Sequence, residues 1–207
     1  MRKNIIYSLL LVVAALFAGC ESRLDIAKHG NMGGQDDFYQ TDEQTEQAVA
    51  SMYSSLKGLY YNWFFTKNLL SDDVWCGGGQ RGDNTSLEQL NEYTYGTDNG
   101  MIQGVFSGLY GLIYQSNLVI EKVADDTPAK KRAIAEAKFF RAWANFELVT
   151  LWGTAPLVDH LLEPGEYRQG NSTPEALWAA VESDLNDAIS MNALPSKKNK
   201  DDQETGM

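Results

Sequence analysis

The chain has 207 residues, of which 28 are acidic and 17 basic, for a formal net charge of −11. So acidic a surface repels phosphate, which excludes a nucleic-acid binder and gives no attraction to anionic lipid. Two cysteines, Cys20 and Cys76, and two widely separated histidines, His29 and His160, give no basis for a disulfide framework, a metal centre or a cofactor site.

The amino terminus carries the strongest local pattern. Arg2 and Lys3 precede an apolar run, Ile5 to Phe17, and then Ala18, Gly19 and Cys20. A basic head, a short apolar core and small residues before a cysteine predict an export signal over 1–19 that ends at a lipoprotein cleavage site, with Cys20 as the lipidated residue. The run is too short for a membrane span, which takes about 20 apolar residues. Cleavage removes Arg2 and Lys3, so the mature charge becomes −13. Membrane attachment then rests on the acyl chains, each buried methylene contributing about 0.8 kcal/mol. Residues 20–40, with Gly33-Gly34 and few apolar side chains, read as a lipidated tether.

From Thr41 onward the pattern is helical. Thr41 and Gln44 have capping-box spacing, and Ala48, Val49, Met52, Tyr53, Leu56, Leu59 and Tyr60 form a 3.6-residue stripe. Trp63 to Leu70 either continues this helix or forms a second short one. Residues 71–100 break the pattern, because four glycines between Gly77 and Gly82 are incompatible with a helix. A second helix is expected over 101–123, where Gly104, Gly108 and Gly111 would let a neighbour approach closely. A third begins at Thr127-Pro128 and ends near Trp152-Gly153, a fourth begins at Thr173-Pro174, and a polar loop over 157–171 separates them. Within the third, Phe139, Phe140, Trp143 and Phe146 fall at core spacing, and Arg141 is expected to be a buried ion-pair partner of Glu136 or Asp73. Ala135, Phe139 and Ala142 echo the second helix of a tetratricopeptide repeat.

The stretch Ala135 to Phe146, running on through Leu151-Trp152-Gly153 and Ala155-Pro156-Leu157-Val158, resembles a signature of the SusD/RagB family of outer-membrane nutrient-binding lipoproteins. Agreement extends to Tyr39 with the Thr41 helix, Ser71-Asp72-Asp73 before a glycine-rich loop, Ser116-Asn117 with Ile120, and Thr173-Pro174-Glu175 with Asp184-Leu185. The resemblance implies an all-α fold of tetratricopeptide-like helix pairs with long loop insertions, 41–207 forming the family's N-terminal helical domain. Family members are usually more than twice this length, so the C-terminal half is expected to be absent. It further implies a lipid-anchored protein outside the outer membrane. Such a protein binds nutrients, oligosaccharides foremost, and delivers them to a SusC-type TonB-dependent transporter, without catalysis. The rival reading is a helical scaffold that assembles outer-membrane partners without touching ligand.

A glycan site needs aromatic rings for the C–H faces of sugars and polar side chains for the hydroxyl rim. Residues 72–99 hold that mixture, and the candidate ligand-binding residues are Trp75, Arg81, Asp83, Asn84, Tyr95 and Asn99. For Trp75, a core plug and a ligand contact both stay open. Gly77 to Gly82 spells G-x-G-x-x-G, but it lacks the preceding strand and following helix of a dinucleotide site. Catalytic signatures such as G-x-S-x-G and H-E-x-x-H do not occur, and adjacent Asp72 and Asp73 are poorly placed to flank a glycosidic bond. Labelling with radioactive palmitate tests the anchor: the polypeptide is expected to take up label and to fractionate with the outer membrane, and an unlabelled cytosolic chain would refute it.

Overall fold

The structure, a computed structural model, describes residues 38–195. The signal segment, Cys20 and most of the expected tether lie outside the described residues. Among those described there are five α-helices: α1 (Asp42–Leu69), α2 (Thr85–Asn91), α3 (Gly100–Lys122), α4 (Pro128–Trp152) and α5 (Pro174–Ser190), with one 3-10 turn at Pro164–Glu166. An isolated antiparallel bridge joins Ala155 to Ser172. The fold is all-α.

Local chemistry sets the helix starts. The Thr41 hydroxyl accepts from the Gln44 N–H at 3.2 Å, and the Gln44 side chain accepts from the Thr41 N–H at 3.1 Å, the reciprocal cap that the spacing predicts. Thr127 and Thr173 cap α4 and α5, each followed by proline at the first helical position. Nothing interrupts α1 at Trp63: residues 61–69 contain neither glycine nor proline, and Thr66 and Leu69 are buried, so the helix runs straight through. Gly153, with φ of 74°, supplies the positive-φ residue that ends α4.

Contacts between helices give their directions. Ser55 meets Gln115, Met52 meets Ser116 and Leu59 meets Gly108, so numbers fall along α3 as they rise along α1 and the pair is antiparallel. Lys138 meets Asp187, Arg141 meets Asp184 and Phe146 meets Trp178, which makes α4 and α5 antiparallel as well. Tyr53 meets Phe140 and Lys67 meets Glu147, so α1 and α4 run parallel. Successive long helices thus form antiparallel pairs around one core, whose central members include Met52, Leu109, Ile113, Ala137, Ala144, Leu148 and Leu177. Each large apolar side chain buried there contributes about 1.5–3 kcal/mol. Small residues allow close approach: a Cβ at Gly108 would stand 2.7 Å from Leu59 Cδ1, and one at Gly104 would strike the Asn62 amide. Gly111, expected to share this role, faces open space.

Arg141 is buried, but its partners are neither Glu136 nor Asp73. Glu136 lies five residues back on the same helix, pointing elsewhere, and pairs with Arg132 at 2.6 Å; Asp73 is exposed in the loop. The guanidinium instead donates both Nε and Nη2 to the Asp184 carboxylate, each at 2.7 Å. Its Nη1 donates to Asn117 Oδ1 at 2.7 Å and to the Asp159 carbonyl at 2.6 Å. Asn117 in turn donates to the carbonyls of Val158 and His160. One side chain therefore joins α3, α4, α5 and the segment after Pro156. Tyr110 adds a further tie, donating to the Pro156 carbonyl at 2.7 Å; burial pushes its phenol pKa up.

Beyond that tie, the exposed His160 ring lies between Asp159 (2.7 Å from Nδ1) and Glu166 (3.2 Å from Nε2). Hydrogen bonding to Asp159, then to Glu166, raises the imidazole above its ordinary pKa of 6.5.

Two outcomes are expected. Arg141→Ala leaves Asp184 charged and unpartnered in the interior and costs about 3–5 kcal/mol in chemical denaturation, whereas Arg141→Met combined with Asp184→Leu recovers much of that loss. The His160 clip, with a folded pKa above the unfolded one, contributes fully below pH 6.5 and is lost as pH rises through the folded value. Titration by NMR should place His160 above 6.5, with amide exchange over 157–171 quickening on the alkaline side; a value at or below 6.5 would refute the clip.

Candidate functional site

The loop between α1 and α3 is long but fastened down. Asn84 accepts from the Leu87 N–H at 3.3 Å and starts α2. Leu87 and Leu90 of α2 bury against Leu69 in a small core of their own, flanked by Phe65, Cys76, Met101 and Ile102. The expectation of irregular backbone over all of 71–100 is corrected by this helix. The glycines forbid helix only as far as Gly82, and the Asn84-x-x-Leu87 pattern just beyond them was the available signal.

Upstream of α2 the backbone folds onto carboxylates. Asp83 Oδ2 accepts from the N–H groups of Gly79 (2.7 Å) and Gln80 (3.0 Å). Glu88 accepts from the Gly82 N–H at 2.7 Å, and Gly82 has φ of 93°, a region where only glycine is unstrained. The Cys76 N–H donates to Asn91 Oδ1 at 2.9 Å. At the downstream end Asn99 caps α3: its Oδ1 accepts from the Met101 and Ile102 N–H groups, while its Nδ2 donates to the Ser86 carbonyl and Gln89 Oε1. Tyr93 donates to the Leu70 carbonyl at 2.9 Å.

These bonds sort the six candidate residues. Trp75 and Arg81 line one hollow of about 280 Å³, together with Gln80, Glu88, Asn91 and Glu92. The Trp75 side chain is 78% exposed, so it is no core plug. Arg81 forms a two-pronged pair with Glu92, at 2.7 Å from each terminal nitrogen; exposed as it is, the pair fixes the guanidinium in place more than it adds stability. Asp83 commits one carboxylate oxygen to loop amides, Asn84 and Asn99 commit theirs to the first turns of α2 and α3, and Asn99 is 2% exposed. Tyr95 lies apart, lining a second hollow with Leu70 and Trp152. Reading the sequence missed Glu88, Asn91 and Glu92, because their convergence on Trp75 depends on α2. Burial first, then Glu88 and Glu92, push the Cys76 thiol pKa up, which leaves it protonated and a weak nucleophile at neutral pH. Among the described residues no group of three His, Cys, Asp or Glu side chains is placed to hold a metal ion.

Of the four aromatic residues read as core in α4, Phe140 is fully so. Trp143 is half-buried against Trp63, Phe146 is half-buried against Trp178, and Phe139 is exposed.

Residues 32–205 match the SusD-like family described as starch-binding and associating with the outer membrane. A SusD-like protein of Bacteroides ovatus is 32% identical over 166 residues, which are 73% of this chain and 29% of that one. SusD-like protein P2 of Formosa agariphila is 26% identical over 175 residues, 78% of this chain and 35% of that one. Among solved structures, a laminarin-binding SusD-like protein superposes with a TM-score of 0.70 at 27% identity, covering 80% of this chain and 37% of its own. The chain thus spans about a third of the length of the curated relatives it matches.

Proposed function

This chain belongs to the SusD-like family, and we propose that it is a carbohydrate-binding surface lipoprotein. In this reading it captures oligosaccharide outside the outer membrane and passes it to a SusC-type TonB-dependent transporter. The observation that supports it most is Trp75. A tryptophan 78% exposed, beside Gln80 and Arg81 over a hollow, is a large apolar face left in water. Laid against the C–H face of a pyranose it is covered, while Gln80, Arg81 and Asn91 meet the hydroxyls at the rim. Asp83, Asn84 and Asn99 serve the same site indirectly, by holding the loop in shape before ligand arrives and so reducing the ordering cost of binding.

Binding rather than catalysis fits the acidic groups at this hollow. Glu92 is paired with Arg81 and Glu88 accepts a backbone amide, so both carboxylates are engaged in holding the loop. Capture and release need only modest affinity, since tight retention stalls delivery. The anchor in this reading is the acylated Cys20; no helix among the described residues is long and apolar enough to cross a membrane. The scaffold reading draws on Tyr60, Tyr61 and Phe64, exposed together along α1.

Titration with maltoheptaose, laminarin and xyloglucan oligosaccharides, followed by Trp fluorescence and calorimetry, separates the two. We expect saturable binding to at least one glycan and an affinity loss of tenfold or more, about 1.4 kcal/mol, in Trp75→Ala with its circular dichroism unchanged. No response to any glycan, together with retained transporter binding, would favour the scaffold.

A further inference from the structure

Charge at the Trp75 hollow is unevenly matched. Among the described residues that line it, Arg81 is the one cation, set against the carboxylates of Glu88 and Glu92. A third carboxylate stands directly behind the wall, since a Cβ at Gly78 would lie 3.1 Å from Asp83 Oδ2. Arg81 is not at liberty to offset them all. Its Nη1 meets Glu92 Oε1 at 2.7 Å and its Nη2 donates to Glu92 Oε2 at 2.7 Å. The fork that would clasp a ligand carboxylate is therefore already clasped by one from the C-terminal end of α2.

What remains suits a hydroxyl better than an anion. A guanidinium has more N–H donors than Glu92 takes up, and the remainder can donate to a neutral hydroxyl without electrostatic cost. A ligand carboxylate seeking the same donors comes close to Glu92 and meets like charge. Glu88 adds to the mismatch, because a carboxylate only accepts: a hydroxyl can donate to it and a ligand carboxylate cannot. Selectivity of this kind comes from placing a repulsive group against the wrong ligand.

We propose that Glu92 is the specificity-determining residue of this hollow: by closing the Arg81 fork it admits uncharged glycan segments and turns away those that carry uronates. The inference rests on the glycan reading of the Trp75 hollow and adds to it the charge of the ligand and the residue that sets it. Glu92 acts through Arg81 and through its own field, so it has no need to touch sugar.

The test is calorimetric titration of the full chain with maltoheptaose, laminarin and xyloglucan oligosaccharides, each beside a counterpart whose primary hydroxyls have been oxidised to carboxylates. For whichever neutral glycan binds, the wild type should hold the oxidised form roughly three- to thirtyfold more weakly at low salt. The gap should close towards parity at about 1 M salt, where the screening length falls to about 3 Å. Glu92→Gln keeps the shape and releases the fork, and should abolish or reverse the gap; Arg81→Gln should widen it. The readout is the ratio of two affinities, so a general loosening of the loop, which weakens both ligands alike, cancels. Equal affinity of the wild type for both forms at low salt overturns the proposal and leaves glycan binding intact. So does a gap that persists at high salt, and so does a Glu92→Gln chain with the wild-type ratio. Failure of every neutral glycan to bind overturns the reading beneath, and this inference falls with it.

Discussion

The arrangement of this protein depends on one buried cation. Arg141 has a planar fork of donors, and all of its bonds go to groups that belong to other elements: Asp184 of α5, Asn117 of α3 and the Asp159 carbonyl. Apolar packing alone would allow these helices to rotate against each other by small amounts at little cost. A bidentate guanidinium–carboxylate pair does not, because its geometry is directional and an unpaired charge in the interior is severely unfavourable. Asn117 extends the constraint to the carbonyls of Val158 and His160, so the chain leaving Pro156 is held against α3 before it reaches α5.

Against that fixed frame the α1–α3 connection is a platform built by different means. It has its own small core, Leu69 with Leu87 and Leu90, and its own set of backbone amides bound by side-chain oxygens from Asp83, Asn84, Glu88, Asn91 and Asn99. A long loop with these features loses little entropy when a ligand arrives, since its conformation is already set. The exposed aromatic side chain at its edge is thereby presented from a defined position.

Much of the fold could be read from the residues. Thr41, Thr127 and Thr173 announce helix starts because capping is local chemistry, and the apolar stripes follow from the 3.6-residue period alone. The close approach at Gly104 and Gly108 was legible for the same reason, while Gly111, one turn further on, turns out to face solvent. Long-range pairing was not legible. That Arg141 would be buried was apparent from its place in an apolar helix; that Asp184 would meet it depends on how α5 folds back, which no local pattern encodes. The site divides along the same line. Aromatic and polar composition marked the loop that carries the Trp75 hollow, but Asp83, Asn84 and Asn99 have residue types that suit a sugar rim and a backbone cap equally well. Only the geometry distinguishes those uses. Tyr95 was named among the candidates, but the second hollow it lines was not legible, because its walls come from four separate segments.

The carboxylates folded into the glycine-rich turn have one more effect. A run of glycine amides is ordinarily a cradle for anions, but here the N–H groups of Gly79, Gln80 and Gly82 are already taken by Asp83 and Glu88. The turn therefore carries its own resident negative charge, and Glu92 lies nearby. Polyanions approaching this edge would meet occupied amide donors and, even with Arg81 paired to Glu92, a net negative field.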